Sequence, residues 1–234
     1  MIDIGPDVTV QFVSTSLTAL FFLGVLSLVR PREEAVADVG ILFQPEQKKR
    51  HLEALARTRF WYHDGHLASW IRKNVLPEFQ KRCREHGAQC EIRAAIMDPS
   101  NDVVCSTYLS HIAALPPDEQ MYKDLASIKA ELCASLYTLI AGYQPDQLHV
   151  ALYLKDRIDF IRDDITDSYA FWTTVGKTVP AISLVNRNSQ FLYYNLVLKN
   201  FAQSTRQYRR IDVPAAYAVT FSRRANRTAS ASEA

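Results

Sequence analysis

RFWYHDGHLASWI, residues 59–71, reads as three things in a row. Arg59 to Tyr62 holds three aromatics of high strand preference. His63-Asp64-Gly65-His66 breaks the run as a tight polar loop, and Leu67, Trp70 and Ile71, at spacings of three and four, begin a helix. Pro77 kinks that helix or starts a second one, which runs through Phe79 and Cys83 and stops at Gly87. The same order returns at once. CEIRAAIM, residues 90–97, is an apolar strand suited to a sheet covered by helices, and Asp98-Pro99-Ser100-Asn101 is its polar loop. The helix after it, near 103–115, ends before Pro116 and Pro117.

The flanking sequence extends the pattern. Residues 37–43 form a short first strand, and 46–57 a helix with Leu52, Leu55 and Ala56 inward. Lys48, Lys49 and Arg50 near its start read as a solvated face, with contact to lipid headgroups or a phosphate as the sharper alternative. Met121, Leu125, Ile128, Leu132, Leu136 and Leu139 define an amphipathic helix over 118–141. A strand follows at 148–154, then a hairpin within 157–175 joined around Asp163, Asp164 and Asp167, a strand at 181–185 and a closing helix over 189–208. Alternating strands and helices followed by a hairpin describe a three-layer α/β domain with a mixed sheet. In such sheets ligands sit at the carboxyl ends of the strands. That rule draws one rim from His63, Asp64, Gly65 and His66, from Asp98, Ser100 and Asn101, and from Asp156 and Arg157; the candidate ligand contacts are His63, His66, Arg72, Ser100, Asn101 and Arg157. Helix capping is the competing role for Asp64, Asp98 and Asn101.

Ahead of this domain, VTVQFVSTSLTALFFLGVLSLV, residues 8–29, contains no charge and is closed by Arg30, Pro31 and Arg32. At about 1.5 Å per residue it would reach about 33 Å, enough to cross a hydrocarbon core. A signal peptide would need a basic start and a shorter apolar core, whereas Asp3 and Asp7 precede this run; a buried helix of a soluble domain is the other alternative. The expected organisation is a short extracytoplasmic terminus over 1–7, a transmembrane helix over 8–30, a cytoplasmic α/β domain over 31–210 and a disordered tail over 211–234. Arg30 and Arg32 orient the bulk of the chain to the cytoplasm of a bacterial inner membrane. Gln11, Ser14 and Thr18 share one side of the span, continued by Phe22 and Val25. If copies associate, that face would line a pore with an apolar constriction; otherwise the span is a plain anchor.

Composition narrows the chemistry. The 234 residues carry a formal net charge of +2, so no global basic footprint announces nucleic acid. Cys83, Cys90, Cys105 and Cys133 make no CxxC pair and no spacing for structural zinc, and they fit reduced thiols. No P-loop, dinucleotide-type glycine cluster or G-x-S-x-G elbow is present. His63 and His66 with Asp64 alone make a weak metal signature, so no cofactor or metal is expected.

The order of FWYHDGHLASWIRKNVLP, IRAAIMDPSN, the hairpin strand YAFWTTV and the strand AISLV resembles one half of the phospholipase D superfamily, over about residues 37–208. Catalytic members carry His-x-Lys on the strand of the hairpin. Tyr169, Ala170, Phe171, Trp172, Thr173 and Thr174 stand at the matching place, and His149 is followed by Ala151 rather than Lys. The resemblance therefore implies a degenerate relative with a phosphate-friendly pocket and no catalytic residues. A single span on such a domain looks like the membrane effectors of bacterial antiphage systems. That likeness implies a homo-oligomeric sensor-effector in contact with membrane lipid, gated by a nucleotide or short oligonucleotide supplied by a partner enzyme. A tethered phosphodiesterase-like hydrolase and an anchored scaffold are the alternatives.

Overall fold

The computed structural model describes residues 39–122, 124–159, 161–174, 179–185 and 191–218. The chain divides into two compact units, Met1–Ala37 and Asp38–Ala234, and the described residues all belong to the second. Its elements in order are β1 (Val39–Leu42), α1 (Gln44–Leu55), β2 (Phe60–Asp64), α2 (Leu76–His86), β3 (Cys90–Met97), α3 (Asp102–Ala113), α4 (Leu125–Ala141), β4 (Leu148–Lys155), β5 (Ile161–Ile165), β6 (Tyr169–Thr174), β7 (Ala181–Val185), α5 (Phe191–Ser204) and β8 (Arg209–Ile211).

The strands form one eight-stranded sheet in the order β1-β7-β6-β5-β2-β3-β4-β8. β2, β3 and β4 pair in parallel, as helical crossovers between consecutive strands require, and the other joins are antiparallel. Alternation along each strand then sorts the side chains. Trp61, Ile92, Ala94, Ile96, Val150, Leu152 and Leu154 pack with Phe79, Ile128, Leu132 and Leu139 of α2 and α4 in the main core. On the opposite face Tyr194, Val197 and Phe201 of α5 pack on Ile165, Ala170 and Leu184 beside Phe60 and Tyr62. Each fully buried Leu, Ile or Phe contributes roughly 1.5–3 kcal/mol, so the two clusters anchor β2 from both sides.

One expectation is corrected here. Among the described residues no helix is long and apolar enough to cross a membrane. The longest labelled α-helix, α4, has 17 residues and carries Lys129 and Glu131, so at 1.5 Å per residue it reaches only about 26 Å. The expected span over 8–30, with its pore face of Gln11, Ser14, Thr18, Phe22 and Val25, lies outside the described residues. The architecture is a mixed α/β domain on an eight-stranded sheet.

Smaller departures have local causes. At Pro77 the α-helix does begin anew: the chain widens into a π turn over Ile71–Val75 and α2 starts at Leu76, with the proline in its first turn. A proline removes one i→i−4 bond, and a π turn relaxes the ladder just before it. α4 begins at Leu125, not near 118, because Asp124 caps it and accepts a 2.7 Å bond from the Ser127 N–H. α2 ends at Gly87, whose φ of +60° is left-handed and whose surroundings are open for 4 Å around a built Cβ. The cost of a side chain there is conformational alone. Gly87→Ala is therefore expected to lower stability by about 1 kcal/mol in urea unfolding, and Gly87→Asn by less, since Asn tolerates that conformation. Equal losses would show that sterics, not backbone preference, set the position.

Candidate active-site cleft

The antiparallel register of β2 and β5 sets His63 directly opposite Asp164. Both point to the main-core face, and both are buried. The His63 Nδ1 lies 2.9 Å from Asp164 Oδ1, and the Trp61 Nε1–H donates to the same oxygen at 2.8 Å. His51 of α1 brings its Nε2 to 3.8 Å from the other oxygen, its ring stacked on Phe171 at 4.2 Å between centroids. Burial by itself would raise the Asp164 carboxyl; the charge of His63 and the bonds from His51 and His63 overcome it and hold the group well below the usual carboxylate range. With Asp164 accepting a hydrogen bond from Nδ1–H, His63 Nε2 is turned away from the carboxylate, buried and without a hydrogen-bond partner among the described residues. Gly65 makes room for it. A Cβ at 65 would stand 2.2 Å from His63 Nε2.

His63 lines a cleft of about 460 Å³ between α1, the π turn, α3, segment 115–122 and the β5–β6 hairpin. His66, Trp70, Tyr108, Tyr122 and Arg162 line it too, with Lys48 and Lys73 as exposed cations. Arg162 shares its face with Asp164 two residues away and donates from Nε to Thr173 Oγ1 at 3.0 Å. Among the described residues no carboxylate pairs with it, nor with Lys48 or Lys73. Four cleft residues hold buried polar atoms without a partner among the described residues: His63 Nε2, His66 Nδ1, Trp70 Nε1 and Thr174 Oγ1. His66 rests on Tyr108, ring centroids 4.7 Å apart, and its Nε2 lies 2.8 Å from the Asp159 carbonyl oxygen. Burial first, then the charges of Lys155 and Arg162, push its pKa down to about 3, so the ring is neutral.

A second polar cluster occupies the other face at the ends of β2, β4 and β5. Lys155 is fully buried and donates to Asp64 at 2.6 Å and Asp159 at 3.2 Å. Tyr208 donates to Asp64 at 3.4 Å and accepts from Arg157 at 3.2 Å. Asp163, beside Asp64 in the ladder, is pushed up to about 8 by burial and then by the charges of Asp64 and Asp164.

Of the residues singled out in the sequence, His63 and His66 meet in the cleft. The others are placed elsewhere. Arg72 pairs with Glu131 of α4 at 2.5 Å, Ser100 bonds Asp98 at 2.6 Å, Asn101 caps α3 by accepting from the Val104 N–H at 3.2 Å, and Arg157 lies over Tyr208 beside Asp159. Sequence reading missed His51, Trp61, Arg162 and Asp164; the last, expected in a turn, sits inside β5. Strand alternation from Ile165 inward is the signal that would have placed both Arg162 and Asp164 on one face. Among the described residues no group of three or more His, Cys, Asp or Glu side chains is arranged to hold a metal.

No protein-family model matches the chain, and no curated protein matches it either. Among solved structures it is similar to the phosphatidylserine synthase of Haemophilus influenzae Rd KW20, at 11% identity and a TM-score of 0.42. The match covers 74% of this chain and 38% of that one, so the chain spans well under half the length of that protein.

Two outcomes follow from these placements. Gly65→Ala is expected to push the His63 ring off Asp164, visible as loss of the low-field Nδ1 proton resonance; an unchanged resonance would mean the backbone yields instead. Asp163 keeps its proton in the fold to about pH 8, whereas an unfolded aspartic acid releases it near pH 4. Unfolding between those values therefore releases a proton, and stability falls as pH rises through that window. Asp163→Asn removes this loss, so its Tm relative to the unsubstituted chain is expected to climb from pH 5 to pH 8.5, and a constant difference would contradict the assignment.

Proposed function

We propose that the cleft binds a phosphate ester of the nucleotide or short-oligonucleotide class and that the chain is a sensor of such a ligand. The observation that carries the reading is the coincidence, in one cleft, of a guanidinium with no carboxylate partner among the described residues and four buried polar atoms without partners. Native proteins leave few buried polar groups unmade, and their concentration in one concavity marks a place where a ligand supplies the missing bonds. Arg162 offers a planar fork for phosphate oxygens, and Lys48 and Lys73 add charge at the cleft surface. Trp70 and Tyr122 offer aromatic rings on which a base can stack.

A second reading rests on the His63–Asp164 pair. A histidine oriented through Nδ1 by a buried carboxylate, with Nε2 unpartnered, has the arrangement of a general base or nucleophile. In a bound phosphodiester it would take a proton from water attacking phosphorus and return it to the alcohol oxygen whose P–O bond breaks, while Arg162 stabilises the charge that develops on the phosphoryl oxygens.

Calorimetric titration of the full chain with adenosine 5′-monophosphate and a short oligoadenylate separates the two. Arg162→Ala is expected to weaken binding by roughly 10- to 100-fold, the loss of charge-assisted hydrogen bonds worth about 1.5–3 kcal/mol. Turnover of bis(p-nitrophenyl) phosphate that disappears in His63→Ala would establish the hydrolase; binding without turnover would leave the sensor. No binding of any phosphate ester would end both readings.

A further inference from the structure

The proposed phosphate-ester reading leaves open what else the ligand must carry, and His66 supplies the answer. The Asp159 carbonyl oxygen only accepts hydrogen bonds, so His66 Nε2, 2.8 Å away, must carry a proton. The ring is neutral, because burial and the charges of Lys155 and Arg162 disfavour a second proton. The other nitrogen, Nδ1, is therefore a bare lone pair. It is buried, has no partner among the described residues, and belongs to a residue lining the cleft. Turning the ring over would strip Asp159 of its donor, and the stack on Tyr108 fixes the plane in which the nitrogens lie.

We infer that the ligand presents a hydrogen-bond donor, a hydroxyl or an amine, to His66 Nδ1, and that His66 thereby selects donor-bearing phosphate esters over those whose organic part is purely apolar. The inference rests on the reading of the cleft as a phosphate-ester site and goes beyond it by naming a group on the ligand other than the phosphate. Its physical basis is asymmetric. A phosphate ester with a hydroxyl or amine in reach satisfies the lone pair, whereas an alkyl phosphate that fills the same space drives off water and leaves Nδ1 desolvated and unbonded. Arg162 and the lysines attract either ester through the phosphate; His66 discriminates between them.

The test compares pairs of phosphate esters equal in carbon number. Ribose 5-phosphate is titrated against n-pentyl phosphate for the hydroxyl arm, and 2-aminoethyl phosphate against ethyl phosphate for the amine arm, with the full-length chain and with His66→Phe. In the unsubstituted chain at least one donor-bearing ester is expected to bind roughly fivefold more tightly than its alkyl partner, the worth of one neutral hydrogen bond, and the arm that shows it identifies the donor. In His66→Phe, whose ring can keep the stack on Tyr108, that ratio is expected to collapse to about one. Equal binding within both pairs, or a preference that survives in His66→Phe, overturns the inference while leaving the phosphate site intact. Failure of all four esters to bind instead removes the phosphate-ester reading itself, and the inference with it. Should His66→Phe not fold, imidazole 15N spectra of the unsubstituted chain decide the matter: His66 Nδ1 is expected to stay unprotonated from pH 5 to pH 8 and to shift when the preferred ester is added. A proton on Nδ1 in that range, or no shift at saturation, would refute it.

Discussion

A carboxylate buried inside a sheet has lost most of its hydration, and Asp164 is tolerated there only because donors converge on it. His63 and Trp61 reach one oxygen and His51 approaches the other. Breaking such an arrangement from one side typically costs about 3–5 kcal/mol, because the charge stays behind without its partners. The requirement propagates outward. His63 and Trp61 are two residues apart on β2, so β2 must pair with β5 in the one register that puts His63 opposite Asp164. A slip by one residue would turn His63 and Trp61 to the face opposite Asp164. His51 in turn fixes the azimuth of α1, and Gly65 must lack a side chain for the His63 ring to lie where it does.

How much of this is legible in the sequence depends on what kind of signal each element carries. CEIRAAIM announces β3 because a parallel strand covered on both faces is apolar nearly throughout. The aromatic run ends at Tyr62, yet β2 continues through Asp64, since His63 and Asp64 are polar residues whose buried partners lie about a hundred positions away. No local pattern reports such partners. α1 shows the same limit from the helical side. Helical spacing sets Leu52 inward, yet it is 45% exposed, while the buried stripe runs through His51, Ala54 and Leu55. His51 sits beside Lys48, Lys49 and Arg50 in the sequence and reads as part of a solvated face. β8, three residues with two arginines, offers no alternation at all and exists as a strand because it pairs with β4.

The two polar clusters on opposite faces of the sheet meet in one residue. Asp159 gives its carbonyl oxygen to His66 in the cleft and its carboxylate to Lys155 on the far side. The segment after β4 is thus held from both directions, which explains why a fully buried lysine is kept among three aspartates. Removing its charge would leave buried Asp64 without its cation and Asp159 with Arg157 alone, while also loosening the peptide that sets the tautomer of His66. Lys155 acts on the cleft without entering it.

The charges in the cleft then fall into an order. Two carboxylates line the cleft, Asp164, which is already occupied by its donors, and the buried Glu119. His66 contributes no charge, for the same burial and the same neighbouring cations that would welcome an anion keep its second proton off. Attraction for a phosphate therefore has to come from Arg162, with Lys48 and Lys73 farther out. Arg162 is suited to that part because its Nε is already spent on Thr173, a neutral partner that orients the fork without cancelling its charge. Had a carboxylate taken the place of Thr173, the guanidinium would be neutralised and the cleft would have no centre of positive potential. The sheet supplies this by register alone: Arg162 pairs across the ladder with Thr173 just as Asp164 pairs with Phe171. One antiparallel hairpin thus places the anion that orients the histidine and the cation that would meet a phosphate two residues apart on the same face.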